Sequence, residues 1–305
     1  MKKIFILLGP TASGKSSLSL KLSKDYPFEI INADLYSMYK GLNIGTAKPS
    51  IDELNNIKHH LINIIEPNVK YNVSNFCADA DSSIKSIFSK KKYPLIVGGT
   101  MMYVYQLLNG LNNEYNLLES DKELINSIQK KYSPKELHKA FKSDKTINLD
   151  KINCNDNYRI EKLLERLVGA NEHLKQYTGL YAQKNHIINI IFIDIEDREL
   201  LRKIISDRTR EMIKNGLVEE VEQLISNFNL TQKSQSMRGI GYKETFDYLN
   251  HKIDLNNLTD KISLSTQQLA KRQITWKKKF KINFQVSFPD INYDKLCDFI
   301  TKSLN

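Results

Sequence analysis

Gly9-Pro10-Thr11-Ala12-Ser13-Gly14-Lys15-Ser16 is the stretch whose reading decides the fold. It matches G-x-x-x-x-G-K-[ST], a loop whose backbone N–H groups curl around an anion. The helix that follows such a loop points its positive end at the same anion. The motif has this meaning only between a strand and a helix. Ahead of it, Ile4-Phe5-Ile6-Leu7-Leu8 is an unbroken apolar run, the pattern of a strand buried on both faces, and behind it residues 14–24 carry helical spacing. Gly9, Thr11, Ala12, Ser13, Gly14, Lys15 and Ser16 are therefore the candidate residues for a phosphate or diphosphate. Lys15 would reach the outer phosphate, and the Ser16 hydroxyl is the candidate ligand for Mg²⁺.

Outward from the loop, short apolar runs alternate with helical patterns. Strands are predicted at 2–8, 29–33, 94–98 and 187–194, with a further one at 282–287. Helices are predicted at 74–91, 101–109, 120–131, 134–142 and 156–170, through two apolar-periodic stretches between 200 and 225, and over 257–278. The fold class that follows is α/β. A P-loop NTPase-like parallel sheet is expected to form a core from 1–112 and 186–305, with a mostly helical insertion at 113–185 and a helical C-terminal region.

Composition narrows the function classes. The 305 residues carry a formal charge of +10, with 41% apolar and 26% charged residues, which excludes a disordered or collagen-like chain. No run approaches the roughly 20 apolar residues of a membrane-spanning helix, so no membrane partner is expected. The five-residue apolar run before Gly9 is shorter than a signal peptide needs, and a cytoplasmic location is expected. Cys77, Cys154 and Cys297 are too scattered for a disulfide framework or a zinc site. Between Lys261 and Lys281 seven lysines and arginines occur without one acid, either a solvated helix face or a surface for a polyanion.

The anion loop does not name the reaction. Phosphoryl transferases place a carboxylate at the end of a second core strand to hold Mg²⁺. Here the 94–98 strand runs into Gly98-Gly99-Thr100, with no acid. The 29–33 strand instead delivers Asp34 to the carboxyl edge of the sheet, where open α/β folds put their ligands. On its residue type Asp34 serves equally as a metal ligand, a kinase base, a base for another nucleophile, or a loop cap. His59, His60 and Trp276 read as packing or hydrogen-bonding residues.

Further segments line up with one family. They are Tyr39-Lys40-Gly41-Leu42-Asn43-Ile44-Gly45-Thr46-Ala47-Lys48-Pro49, His59-His60-Leu61, Pro94 to Thr100 and Asn155-Asp156-Asn157-Tyr158-Arg159-Ile160. Gly216 to Val221, Gly239 to Glu244 and Gln268 to Trp276 complete the set. In this order, with the anion loop, the chain resembles the bacterial tRNA dimethylallyltransferases along nearly its whole length. The resemblance implies transfer of the dimethylallyl group of dimethylallyl diphosphate to the exocyclic amine of the adenosine at tRNA position 37, beside the anticodon. Diphosphate in the cradle is then a leaving group, and a second-strand acid is not required.

By the same resemblance Asp34 is the base, Arg208 a cation on the leaving group, and Thr100 a hydrogen-bonding residue of the reaction channel. Contact with the tRNA anticodon arm is carried over to Asp34, Leu35, Tyr36, Ser37, Thr100, Tyr158, Arg159 and Lys162. The acid-free stretch, with Lys271, Arg272 and the Lys277–Lys279 run, is expected against tRNA phosphates. Leu35 stands where the family usually has Ser, and Tyr158 where Gln is common. A monomer using Mg²⁺ is expected. Two other enzymes share the anion loop: a small-molecule kinase, which needs a nucleotide-base site that the sequence does not offer, and a prenyltransferase of free adenine nucleotides, which has little use for the basic stretch or the 156–170 helix.

Overall fold

The computed structural model describes residues 1–111, 118–144, 147, 149, 152–169 and 177–305. Residue 113, where the insertion was expected to begin, and residue 170, the expected end of a helix, lie outside them. The chain divides into two compact units, Met1–Asn109 with Thr178–Asn305, and Gly110–Tyr177.

The first unit opens with β1 (Lys2–Leu8), α1 (Lys15–Asp25) and β2 (Phe28–Asn32), continues through α2 (Ile51–Asn56) and β3 (His59–His60), and reaches α3 (Val73–Ser89), β4 (Tyr93–Val97) and α4 (Met101–Asn109). The second unit holds α5 (Glu119–Lys131), α6 (Pro134–Ser143) and α7 (Asn157–Val168). The first resumes with β5 (His186–Asp194), α8 (Arg198–Lys214), α9 (Leu217–Phe228), α10 (Tyr242–Leu249), α11 (Leu255–Trp276), β6 (Phe284–Ser287) and α12 (Tyr293–Leu304).

The described strands form one sheet in the order β3-β2-β4-β1-β5-β6, with every pairing parallel. Parallel neighbours need crossovers, and the intervening helices supply them. Phe5 and Leu7 of β1 pack in one core with Leu18 and Leu22 of α1 and Leu296 and Ile300 of α12. Ile4, Ile6 and Leu8 point the other way and are as deeply buried, so the sheet is covered on both faces. From β1 the chain first builds outward through β2 to the β3 edge, then returns to lay β5 on the other side of β1. That reversal puts the loop after β1 at the switch point of the sheet, where α/β folds open a crevice.

Three differences from the sequence reading have physical causes. β3 is a two-residue edge strand, too short to show any period. The helix expected over 257–278 ends at Trp276, and Lys277–Lys279 close it as a 3₁₀ turn. α2, α10 and α12 are additional helices; α2 opens with a reciprocal Ser50–Glu53 capping box.

The second unit is a small helical body of its own. Ile125 of α5, Leu137 of α6, and Ile160 and Leu164 of α7 share its core. Asp156 caps α7 by accepting a hydrogen bond from the Arg159 N–H. Tyr158 is exposed on that helix, Arg159 pairs with Asp156, and Lys162 pairs with Glu165.

Candidate active site

The loop after β1 has the strained backbone that an anion cradle requires. Ala12 (φ 63°) and Gly14 (φ 75°) both lie in the left-handed region, and Gly14 caps α1. A Cβ on Gly9 would sit 2.9 Å from the Ile193 carbonyl oxygen, so glycine lets β1 end against β5. Ser13 Oγ is buried without a partner, an orphan donor in a loop whose residues 11–16 line the cavity. The Lys15 ammonium donates to the Pro10 carbonyl at 2.6 Å and lines the same cavity, of about 430 Å³, as Thr11 and residues 12–16. Burial pulls the Lys15 pKa down to about 8 against the opposing attraction of Asp34, and Arg208 lowers it further. An arriving diphosphate reverses that balance.

Asp34 leaves the carboxyl end of β2 and enters a 3₁₀ turn at Tyr36–Met38. Its Oδ1 accepts the Tyr36 N–H at 3.1 Å, and Asn32 fastens the loop from below by donating to the Asp34 carbonyl at 3.0 Å. Capping thus occupies one carboxylate oxygen. Burial raises the Asp34 pKa, opposed by the Tyr36 amide, Lys15 and Arg208. A carboxylate held this way is a stronger proton acceptor than one in water. Burial also lifts Tyr36 to about 12, so its hydroxyl stays protonated.

A second cavity, of about 280 Å³, adjoins the first. Ile205, Met212, Ile240, Ile262 and Leu269 are its apolar side chains, and its polar groups include Tyr36, Thr209, Arg238, Thr266 and Arg272. Thr11, Asp34, Thr46 and Arg208 line both cavities. Arg208, projecting from α8, donates to Thr11 Oγ1 at 3.5 Å. Burial pulls its pKa down and Asp34 pushes it back up. One carboxylate and one guanidinium therefore stand where the two cavities meet.

The other sequence-derived residues divide by place. Ser37 lines the first cavity and Tyr36 the second. Leu35 and Thr100 line neither; the Leu35 N–H donates to Thr100 Oγ1 at 3.1 Å. Thr100 steadies the Asp34 loop from the start of α4. Tyr158, Arg159 and Lys162 belong to the second unit. Lys271 and Arg272 are exposed on α11. Within the Lys277–Lys279 run, Lys278 and Lys279 are exposed, while Lys277 is engaged inside the protein. Lys277 is bound to Asp194 at 2.5 Å and to Gln285 at 2.7 Å, and the Lys279 ammonium lies 4.0 Å from the Trp276 ring centre. Trp276 packs edge-on against Tyr105.

Sequence reasoning missed Gln273. It is buried, accepts the Thr11 N–H at 2.7 Å and donates to the Gly99 carbonyl at 2.8 Å. The Thr11 amide is therefore spent inside the protein and is not open to an anion. A Cβ on Gly99 would lie 2.5 Å from Gln273 Nε2, so any larger residue there would displace the Gln273 amide. Among the described residues no group of three or more His, Cys, Asp or Glu forms a metal cage. The exposed Ser16 at the start of α1 suits an ion that takes few protein oxygens and keeps phosphate and water ligands, as Mg²⁺ does.

Comparison with known proteins finds relatives along most of the chain. The IPP transferase family model matches residues 37–280. The chain is 39% identical over 283 residues, 92% of each chain, to a protein of Vesicomyosocius okutanii named tRNA dimethylallyltransferase. It is 30% identical to the solved tRNA delta(2)-isopentenylpyrophosphate transferase of Staphylococcus epidermidis, covering 100% of this chain and 99% of that one with a TM-score of 0.70. The fold also matches a eukaryotic dimethylallyltransferase described as acting on tRNA, at a TM-score of 0.79 and 23% identity over 99% of this chain and 80% of that one. Among the described residues no helix is long and apolar enough to cross a membrane.

Proposed function

The chain belongs to the IPP transferase family, and we propose that it transfers the dimethylallyl group of dimethylallyl diphosphate to the exocyclic amine of the adenosine at tRNA position 37. The carrying observation is the shared wall: Thr11, Asp34, Thr46 and Arg208 border both the cavity at the anion loop and the one beside it, whose walls carry apolar side chains with Arg238 and Arg272. In this reading the donor's diphosphate lies on the loop and Lys15, and the flipped adenine enters the second cavity. The two reacting atoms meet beside Asp34.

Each residue then has one task. The bond from the allylic carbon to the diphosphate oxygen breaks, and the bond from that carbon to the adenine nitrogen forms. The free loop amides, the Ser13 hydroxyl, Lys15 and Arg208 hold the charge that gathers on the departing diphosphate. The adenine amine is a weak nucleophile because its lone pair is delocalised into the ring. Asp34 accepts its proton as the carbon–nitrogen bond forms. Mg²⁺, which Ser16 would hold, supplies further charge neutralisation on the diphosphate when bound. The apolar side chains around the second cavity exclude water that would otherwise capture the allylic carbon. The enzyme works as a monomer in the cytoplasm, with the anticodon stem-loop as its macromolecular partner.

Mass spectrometry of tRNA nucleosides after incubation with dimethylallyl diphosphate and Mg²⁺ tests the reading. The expected result is a single adenosine gaining a dimethylallyl group, only with protein present. Unmodified tRNA under these conditions would reject it.

A further inference from the structure

Two segments that stand out in the sequence, Gly216 to Val221 and Gly239 to Glu244, have no part in the chemistry above beyond the Ile240 side of the second cavity. The structure joins them behind one loop. Glu220, in the first turn of α9, accepts the N–H groups of Asn43 at 3.0 Å, Ile44 at 2.9 Å and Gly45 at 3.4 Å. The Tyr242 hydroxyl donates to the same carboxylate at 2.7 Å. Tyr242 is fully buried, and a Cβ on Gly45 would lie 2.6 Å from its ring. Gly45 is therefore pressed onto the ring face that only glycine allows.

The clamped loop is the one that matters to the site. Thr46 lines both cavities, Gly45 the second, and Ala47 and Lys48 the first. Ala47 sits at φ 48°, a conformation an alanine keeps only where its surroundings over-determine it. From the other side the Lys48 ammonium pins the loop to the Tyr39 carbonyl at 2.5 Å and to Asn63 Oδ1 at 2.6 Å. Neither Glu220 nor Tyr242 lines either cavity.

We propose that Glu220 and Tyr242 are positioning residues for prenyl transfer, holding residues 43–48 as the wall common to the donor and acceptor cavities. This rests on the assignment of those cavities under Proposed function. A carboxylate suits the task because it only accepts, and four donors converge on it. Glu220→Gln keeps the shape but sets an NH₂ against N–H donors. Tyr242→Phe removes one donor and leaves the ring under Gly45, so its effect is the milder of the two.

The test uses the full-length protein and two readouts. In steady-state transfer, Glu220→Gln raises the donor KM roughly 10-fold or more and lowers kcat, and Tyr242→Phe raises it by about 2–5-fold. Direct binding of the anticodon stem-loop without donor stays within about threefold in both, which a general loss of folding would not permit. In hydrogen exchange of the free protein, amides of residues 39–49 exchange roughly 10-fold faster in Glu220→Gln while the sheet is unchanged. Wild-type donor kinetics in Glu220→Gln, or faster exchange spread evenly over the whole unit, overturns the proposal. If Glu220→Gln does not fold, Tyr242→Phe carries both measurements, and wild-type values in it reject the clamp. A wild-type protein that transfers no prenyl group removes the functional reading instead, and exchange at 39–49 still decides whether the clamp exists.

Discussion

Asp34 and Lys15 illustrate how one burial event does opposite things to two charges. Desolvation raises the carboxyl and lowers the ammonium, and each is the other's partial remedy. Asp34→Asn keeps the Tyr36 cap and removes the base. Prenyl transfer should then fall roughly 10²-fold or more with tRNA binding intact; unchanged turnover would remove Asp34 from the chemistry. The pH profile follows from the signs. Asp34 works ionised, so activity falls as pH drops through its pKa, which lies above the ordinary carboxylate range. Lys15 works protonated, and kcat/KM for the donor reports the free enzyme, so it should fall as pH rises through about 8. Lys15→Arg keeps the cation at every accessible pH and should abolish that alkaline limb even where it slows the reaction. An alkaline limb that persists in Lys15→Arg belongs to another group.

At the scale of elements, the edge of the sheet is held electrostatically. Glu29 of β2 is almost wholly buried, and burial alone would raise its pKa. Contacts from His60 at 2.7 Å, Lys90 at 3.2 Å and Lys92 at 3.2 Å outweigh burial and hold it at about 2. A depressed carboxyl stabilises the fold above its unfolded pKa, and that stability is lost as pH falls from the ordinary carboxylate range through about 2. Glu29→Gln should therefore cost about 2–3 kcal/mol at neutral pH and flatten the acid limb of the stability curve. Denaturant melts across pH 2–7 check this, and parallel wild-type and variant curves would contradict it. The same edge shows where sequence reading stops. β1, β2, β4 and β5 were legible because burial on both faces leaves near-continuous apolar runs. His59-His60 was not legible as a strand, because two residues have no period and their partner Ile30 is distant in the chain. Asp34 and the cradle were legible from a local motif and its flanks. Gln273 was not, since Thr11 lies 262 residues away and only the folded chain brings α11 onto the loop. Glu220 was hidden likewise, as an acid in a helix turn whose three amide partners belong to a loop near the other end of the chain.

Over the whole molecule, the charge of +10 is less available than its total suggests. In the stretch from Lys261 to Lys281, Lys277 is committed to Asp194, whereas Lys271 and Arg272 stand exposed on α11 and Lys278 and Lys279 are exposed beyond its end. A cation that already has an anion releases no counterion when RNA arrives, so only the exposed ones add to the salt dependence of binding. tRNA affinity should thus fall steeply with salt. Lys271→Ala and Arg272→Ala should each reduce the log–log slope by about 0.7–0.9, the contribution of one phosphate contact. Lys277→Ala should leave the slope unchanged and lower the melting temperature instead, because it strands the Asp194 carboxylate. Titrating the anticodon stem-loop at several salt concentrations separates the two kinds of lysine. A slope that drops as far for Lys277→Ala as for Lys271→Ala would mean that the Asp194 pair opens on binding, and that the charge of α11 reaches RNA as one block.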